Sequence, residues 1–259
     1  MFVKRSTTFI AIKSLPLRLA TSFLAIFLSV STIAEDKIYT AVYSSEYSGM
    51  DIEIVRTLES RGNGQYAYTF DADSAIARIK EDSTFSLEER KFVPQSYTYE
   101  RKVFGFGGKE SIQFAWDKNT AAYNKGKKRQ HVHTLQEGTL DSSLYQLQLQ
   151  RDLFHTQPMQ SEANASQLTY TYTYVQRDKI KERSFVVTGE TTYTIGEKTY
   201  PALVLQRVNE NADKSTEIIV IPELFYLIAQ IQQEKDDTTY QTRLTEVSLN
   251  AEKLAKLYQ

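Results

Sequence analysis

Six aromatic residues are the side chains of this sequence whose spacing best suits ligand binding. Tyr alternates with Thr through residues 170–174, and Tyr97 and Tyr99 repeat the same two-residue spacing. Successive side chains of a β-strand point to opposite faces, so these rings share a face, and a concave surface of tyrosines suits an amphipathic molecule or a glycan. The alternative is that they are ordinary cross-strand pairs. The candidate ligand-binding set is Tyr97, Tyr99, Trp116, Tyr170, Tyr172 and Tyr174.

A short basic run is the second candidate binding site. Lys125, Lys127, Lys128 and Arg129 place four cations within five residues. Such a cluster can bind a phosphate or an anionic lipid headgroup. A run of like charges is more often a solvated turn, and this alternative stays open.

The sequence gives little support for a metal or a cofactor. His131 and His133 are two residues apart, so on a strand both imidazoles could reach one metal ion. The neighbouring basic run would repel a cation, and there are no cysteines to add thiolate ligands. We therefore predict no metal site and no cofactor.

No catalytic constellation stands out. Residues 105–108 are rich in glycine, but the context of a phosphate-binding loop is missing, so they predict a hairpin turn. A Gly-x-Ser-x-Gly nucleophile elbow is absent from the sequence. Asp71, Asp73 and Glu190 are the carboxylates that a hydrolase could use. We assign no catalytic residue and regard an enzymatic activity as the less favoured reading.

The elements that must position these residues are mainly strands. Alternation of apolar and polar residues recurs from residue 39 to residue 249, and Asn63-Gly64 between two such runs is a strong hairpin signal. Residues 141–154 break the pattern with helical spacing of Leu and Phe, and Asp141 or Ser142 can cap that helix. Residues 251–259 fit either a short helix or a frayed tail. We predict a mainly β fold: a curved antiparallel sheet, half-barrel or open barrel, with one packed central helix.

The first 34 residues are typical of a cleavable signal peptide. Four basic residues precede a 12-residue apolar stretch at 19–30, and Thr32 and Ala34 provide small residues for cleavage. An uncleaved signal anchor is the alternative. Without a cysteine the chain cannot be a lipoprotein. We expect a periplasmic protein in which residues 35–259 form a single all-β domain with one helix and no transmembrane helix.

The order of several short segments resembles an uncharacterised family of exported bacterial proteins, the domain-of-unknown-function family 3108. The resemblance rests on Tyr39–Tyr43, Ser83–Phe85, Pro94–Tyr99, Phe114–Asp117, Leu140–Leu144, Gly189–Glu190, Lys214–Glu217 and Pro222–Ile228. The family tends to carry a Trp before the proline-containing turn, where this chain has Ile219-Val220. The resemblance implies export and a curved antiparallel sheet, and it transfers no biochemical activity.

Together these observations favour a non-enzymatic binding or envelope-assembly factor. It would hold an amphipathic or lipid-like ligand, or a segment of an envelope protein partner, on the aromatic face. The net charge of −1 argues against nucleic acid as a partner. The alternatives are a cell-envelope hydrolase that uses strand carboxylates and a structural partner in an envelope complex.

Overall fold

The computed structural model describes residues 36–47, 49–126, 129–157, 168–208, 214–236 and 238–259. These lie within one compact unit of the chain. The predicted signal peptide, residues 1–34, lies outside the described residues. Within the described ranges, no helix is long and apolar enough to cross a membrane.

The described part of the chain is built from fifteen strands and two α-helices. Their bounds are β1 (Asp36–Tyr47), β2 (Met50–Gly62), β3 (Gln65–Asp73), β4 (Ala77–Glu88), β5 (Lys91–Val103), β6 (Phe106–Ala115), β7 (Thr120–Asn124), β8 (Gln130–Thr134), β9 (Leu140–Asp141), α1 (Leu144–Thr156), β10 (Thr169–Gln176), β11 (Lys179–Ile195), β12 (Lys198–Val208), β13 (Lys214–Ile221), β14 (Leu227–Lys235), β15 (Thr238–Leu249) and α2 (Ala251–Tyr258).

All fifteen strands form one open sheet in the order β8-β7-β6-β5-β4-β3-β2-β1-β15-β14-β13-β12-β11-β10-β9. Each pair is antiparallel except for the short parallel contact between β9 and β10. The two halves of the sheet join where β1 pairs with β15 over seven residue pairs, from Tyr39 to Ser45. No described backbone pairing links the opposite ends, β8 and β9. The predicted mainly β fold is confirmed, in its open form.

Helix α1 forms the centre around which the sheet curves. It packs against β5, β9 and β10, although nine strands separate β5 from β10 in the sheet order. The sheet must therefore bend around the helix. Leu144, Leu147, Leu149 and Leu153 are fully buried, so apolar contacts surround the helix instead of lying along one stripe.

The bounds of α1 differ from the predicted 141–154 because Asp141 lies in β9, outside the helix. Its Oδ1 accepts the N–H groups of Ser143 and Leu144 at 2.9 and 2.8 Å. The capping role predicted for Asp141 is confirmed, but the helix itself begins three residues later. Residues 251–258 are a helix, with the Asn250 side chain accepting from the Lys253 N–H.

Two hairpin turns were predicted from glycine-containing segments, and the structure confirms the position of one of them. Asn63 and Gly64 connect β2 to β3 with φ of 52° and 73°, as predicted for this dipeptide. The turn predicted at 105–108 lies instead at Phe104-Gly105, with φ of 50° and 78°, and Gly107 belongs to β6. A Cβ on Gly107 would lie 1.8 Å from the carbonyl oxygen of Arg101, so glycine is needed there for a close approach and not for a turn.

Candidate binding cavity

A cavity of about 220 Å³ lies at the open side of the sheet, beside the first turn of α1. We call the open side the region where β6, β7 and β8 face the turn between β10 and β11. One wall of the cavity is the inner face of β4 to β7, and the opposite wall is formed by β10, β11 and their turn. Tyr97, Tyr99 and Tyr174 of the predicted aromatic set line this cavity.

Two cross-strand rows build the first wall. Glu81 in β4 lies opposite Tyr99 in β5, which lies opposite Glu110 in β6. Residues two apart on a strand share a face, so the adjacent row projects into the same interior. That row consists of Ser83, Tyr97, Ile112 and Tyr123.

Arg183 provides a cation on the opposite wall. Its guanidinium lies over the rings of Tyr145 and Tyr174, 5.2 and 5.4 Å from their centroids, and donates to the Tyr145 hydroxyl. Burial alone would lower the pKa of Arg183, but the two phenols outweigh it and raise the pKa. Its Nε is buried and has no hydrogen-bond partner among the described residues, so one donor of this guanidinium is left unsatisfied beside the cavity.

Glu81 provides a carboxyl group on the first wall. Burial raises its pKa, while hydrogen bonds from Tyr97 and Ser143 and the charge of Arg56 act in the opposite direction. Within the described ranges, no Lys or Arg lies within ion-pair distance of this carboxyl. Burial and the charge of Glu81 also raise the pKa of Tyr97. The cavity therefore contains a carboxyl group that is not neutralised by a direct ion pair.

Asp141 fixes the helix end that borders the cavity. It is fully buried, and it accepts a hydrogen bond from the Ser83 hydroxyl as well as from the two backbone N–H groups of the helix start. Burial raises the pKa of Asp141 to about 6, against the effect of these hydrogen bonds. By tying α1 to β4, Asp141 holds Tyr145 at the cavity wall.

Ion pairs and one hydrogen bond bridge the open side next to the cavity. Glu110 contacts Arg177 across the gap, with 3.3 Å between Oε2 and Nε. Arg129 pairs with Asp178, and His133 Nε2 lies 2.9 Å from the carbonyl oxygen of Arg177. Here side chains, and not a strand ladder, join the two ends of the sheet.

The balance of charges keeps Glu110 ionised. Burial alone would raise its pKa, but hydrogen bonds from Lys125 and Tyr123 and the charge of Arg177 outweigh burial and lower the pKa. A hydrogen bond from Arg129 likewise lowers the pKa of Asp178. The pKa values of the carboxylates that bridge the open side are thus lowered, whereas those of Glu81 and Asp141 are raised.

The other three aromatic residues of the predicted set lie elsewhere. Tyr172 and Tyr170 face α1, where their hydroxyls bond to Asp152 Oδ2 and Thr156 Oγ1, both at 2.7 Å. Trp116 donates to the Pro94 carbonyl at 2.8 Å beside a separate depression of about 400 Å³. The structure thus brings three of the six rings together, because α1 occupies the part of the concave face that Tyr170 and Tyr172 cover.

The basic run lies at the turn between β7 and β8. Lys125 and Arg129 are exposed and pair with Glu110 and Asp178. Lys127 and Lys128 lie outside the described residues. The part of the run that is described therefore contributes to bridging the open side.

The remaining candidates do not form a site together. His131 and His133 contact each other with ring centroids 4.5 Å apart, and the described residues contain no group of three or more side chains that could hold a metal ion. Asp71 pairs with Arg78 beside the exposed Asp73. Glu190 is exposed on β11, and six strands separate β11 from β3 in the sheet order.

Sequence reasoning missed Glu81, Glu110 and Arg183. A signal for Glu81 was available: it lies two residues before Ser83 and four before Phe85, both fully buried, so strand alternation puts a carboxyl group on the inner face. A charged residue at a position that faces the interior of a sheet is unusual, and it indicates a candidate functional site.

The fold and the site define a class of protein. Its members have an open antiparallel sheet curved around a central helix, with a polar and aromatic cavity at the open side of the sheet. The chain belongs to the family described as protein of unknown function (DUF3108), whose model matches residues 40–243, so the predicted resemblance is confirmed.

Among solved structures, the chain is similar to a β-barrel-like protein of domain of unknown function DUF1849 from Brucella abortus. The identity is 10%, the TM-score is 0.48, and the alignment covers 84% of this chain and 100% of that chain. No curated protein matches.

Proposed function

We propose that this protein is an exported, periplasmic binding factor that holds an amphipathic ligand, or a segment of an envelope protein partner, in the cavity at the open side of the sheet. The signal-like first 34 residues support export. The observation that carries binding is the cavity itself, in which the guanidinium of Arg183 and the carboxyl group of Glu81, which makes no direct ion pair, lie among tyrosine rings.

The chemistry of the cavity favours a ligand with an apolar body and a small polar group. Ring faces pack against apolar or sugar surfaces, and a few placed polar groups fix the orientation of a ligand. A volume of about 220 Å³ admits a small group or the end of a longer molecule. A long chain would have to leave the cavity between the bridging residues of the open side.

Native mass spectrometry of protein purified gently from its own cells tests the proposal. We expect an adduct that denaturation releases. Arg183→Met and Glu81→Gln should each reduce the adduct occupancy at least fivefold. Arg243→Met is the matched control, because Arg243 also lies over a tyrosine ring, at 5.7 Å from the centroid of Tyr193, but outside the cavity.

Three outcomes would count against the proposal: a clean apo mass, an adduct that survives both cavity substitutions, or one that the control removes equally. The same spectra measure the chain mass, which shows whether residues 1–34 have been removed.

A further inference from the structure

The tip of the hairpin between β5 and β6 exposes two phenylalanines. Phe104 and Phe106 are 70% and 83% exposed, the highest values among the large apolar side chains that the structure describes. Phe104 also has φ of 50°, an unusual conformation for a bulky residue. Two phenylalanines on either side of Gly105 at an exposed tip are a larger apolar feature than scattered surface residues, and such features mark interaction sites.

The tip is a fixed part of the fold. The Phe104 N–H donates to the carbonyl oxygen of Ile76 at 2.8 Å, which ties it to the turn between β3 and β4. On its other side the hairpin extends beyond β7, whose pairing with β6 begins only at Ser111. Phe106 lies five positions before Ser111, so the tip projects about 16 Å past that pairing.

Basic residues surround the two phenylalanines. Arg101, Lys102 and Lys109 lie on the hairpin itself and are exposed. Lys125, Arg129 and the start of β11 lie at the same end of the sheet, since Lys125 contacts Glu110 and Arg129 contacts Asp178. The described residues within 100–110, 125–129 and 177–182 carry eight Lys or Arg against four Asp or Glu, whereas the whole chain has a net charge of −1.

We propose that this end of the sheet docks onto the surface of an anionic lipid bilayer. Phe104 and Phe106 would enter the boundary between headgroups and acyl chains, and the surrounding Lys and Arg would contact lipid phosphates. An apolar tip inside a basic collar is the combination that binds a bilayer surface without crossing it.

A lipid bilayer explains both the exposed phenylalanines and the basic residues at this end of the sheet. Other partners explain only one of these two features. Nucleic acid would account for the basic residues but not for two exposed phenylalanines on a convex tip. A protein partner would need a pocket shaped to that tip, whereas a bilayer deforms around it. The inference does not depend on what the cavity binds, because the two phenylalanines do not line it.

Sedimentation of the whole protein with lipid vesicles tests this inference. We expect it to pellet with vesicles of equal parts phosphatidylglycerol and phosphatidylcholine and to remain unbound with phosphatidylcholine alone. The double substitution Phe104→Ser with Phe106→Ser should weaken binding at least tenfold. Lys102→Gln with Lys109→Gln should weaken it about threefold and reduce its salt dependence. Any contribution of residues 1–34 is common to all variants, so the comparison between variants isolates the tip.

The matched control is Leu168→Ser, since Leu168 is a large apolar residue that is 41% exposed and precedes β10 at the opposite end of the sheet from the hairpin. All of these side chains are exposed, so the melting temperature should stay within about 2 °C and report that the variants fold. Equal binding to both vesicle types, absence of binding by the unchanged protein, or full binding by the phenylalanine variant would each overturn the inference.

Discussion

The two halves of the sheet meet in two places, and the two junctions are built differently. On the closed side, β1 and β15 are joined by a backbone ladder of seven residue pairs, lined by the buried Tyr39, Ala41 and Leu244. On the open side, the described residues meet through Glu110 and Arg177, Arg129 and Asp178, and the hydrogen bond of His133.

The difference locates the candidate function. A backbone ladder satisfies its own polar groups and leaves only apolar side chains to pack, so the closed side contributes stability. On the open side ion pairs and a hydrogen bond lie beside a small apolar cluster, in which Val175 of β10 packs with Tyr97 and Ile112. The cavity lies on the open side, and Arg183 and Glu81 both line it.

The largest expected effect is on the closed side. Leu244 is 2% exposed, so Leu244→Ala removes buried apolar volume and should lower the free energy of unfolding by about 2–5 kcal/mol. Urea denaturation measures this change. The exposed neighbour Thr245 is the control, and Thr245→Ala should cost about 1 kcal/mol or less. A loss of less than 1 kcal/mol for Leu244→Ala would show that this junction is not a well-packed core.

The next effect concerns the residue that ties α1 to the sheet. Asp141→Ala leaves a hydroxyl and two N–H groups buried without their acceptor. We expect a loss of about 2–4 kcal/mol in the free energy of unfolding. Asp178→Ala, at a partly exposed bridging residue, should cost much less. Equal losses in the two variants would contradict the different roles of these carboxylates.

The pH dependence of stability should differ in sign between the two groups of carboxyls. The pKa of Asp141 is raised from 3.8 to about 6, and that of Glu81 is also raised. Between about pH 4 and 6 the folded state holds protons that the unfolded state has lost, so this contribution to stability falls as pH rises. The lowered pKa values of Glu110 and Asp178 act oppositely: they stabilise the fold at higher pH, and this is lost on acidification.

Substitution separates the two contributions. The first comparison is between the unchanged protein and the double variant Glu81→Gln with Asp141→Asn. The free energy of unfolding of the unchanged protein minus that of the variant should decrease from pH 4 to pH 6.5. The same difference for Glu110→Gln with Asp178→Asn should increase as pH rises from 3 to 5. Slopes of the same sign in both cases would refute the assignment.

The smallest effect is expected for the bridge between Arg129 and Asp178. Their side chains are 57% and 30% exposed, so solvent screens the pair. A double-mutant cycle with alanine should give a coupling energy much smaller than the loss expected for Asp141→Ala. A coupling energy as large as that loss would mean that the open side is closed as firmly as the ladder side.

Much of the fold could be predicted from local patterns. Alternation marked the strands, and Asn63-Gly64 marked its hairpin, because both signals depend on neighbours in sequence. The helix began later than predicted because Asp141 satisfies the helix N-terminus from a neighbouring strand. The turn near Phe104 was displaced because Gly107 serves a close backbone approach that local composition does not reveal.

The candidate site could be predicted only in part. Tyr97 and Tyr99 share a face by strand periodicity alone, so their presence together at the cavity follows from sequence. The opposite wall comes from β10 and β11, and their position facing β5 depends on how the whole sheet curves around α1. Nothing in the sequence around Arg183 therefore indicates that it lines the cavity. Without the position of α1, the sequence also cannot show that Tyr174 lines the cavity whereas Tyr170 and Tyr172 contact the helix.

Hydrogen–deuterium exchange, read by mass spectrometry, tests for a binding site at the open side of the sheet. The protein as purified would be compared with the same protein after denaturation, removal of any bound molecule and refolding. We expect faster exchange after removal in β5, β10 and the turn at Arg177, with β1 and β15 unchanged. Equal exchange in both samples throughout the chain, or a change concentrated in β1 and β15, would contradict a binding site at the open side.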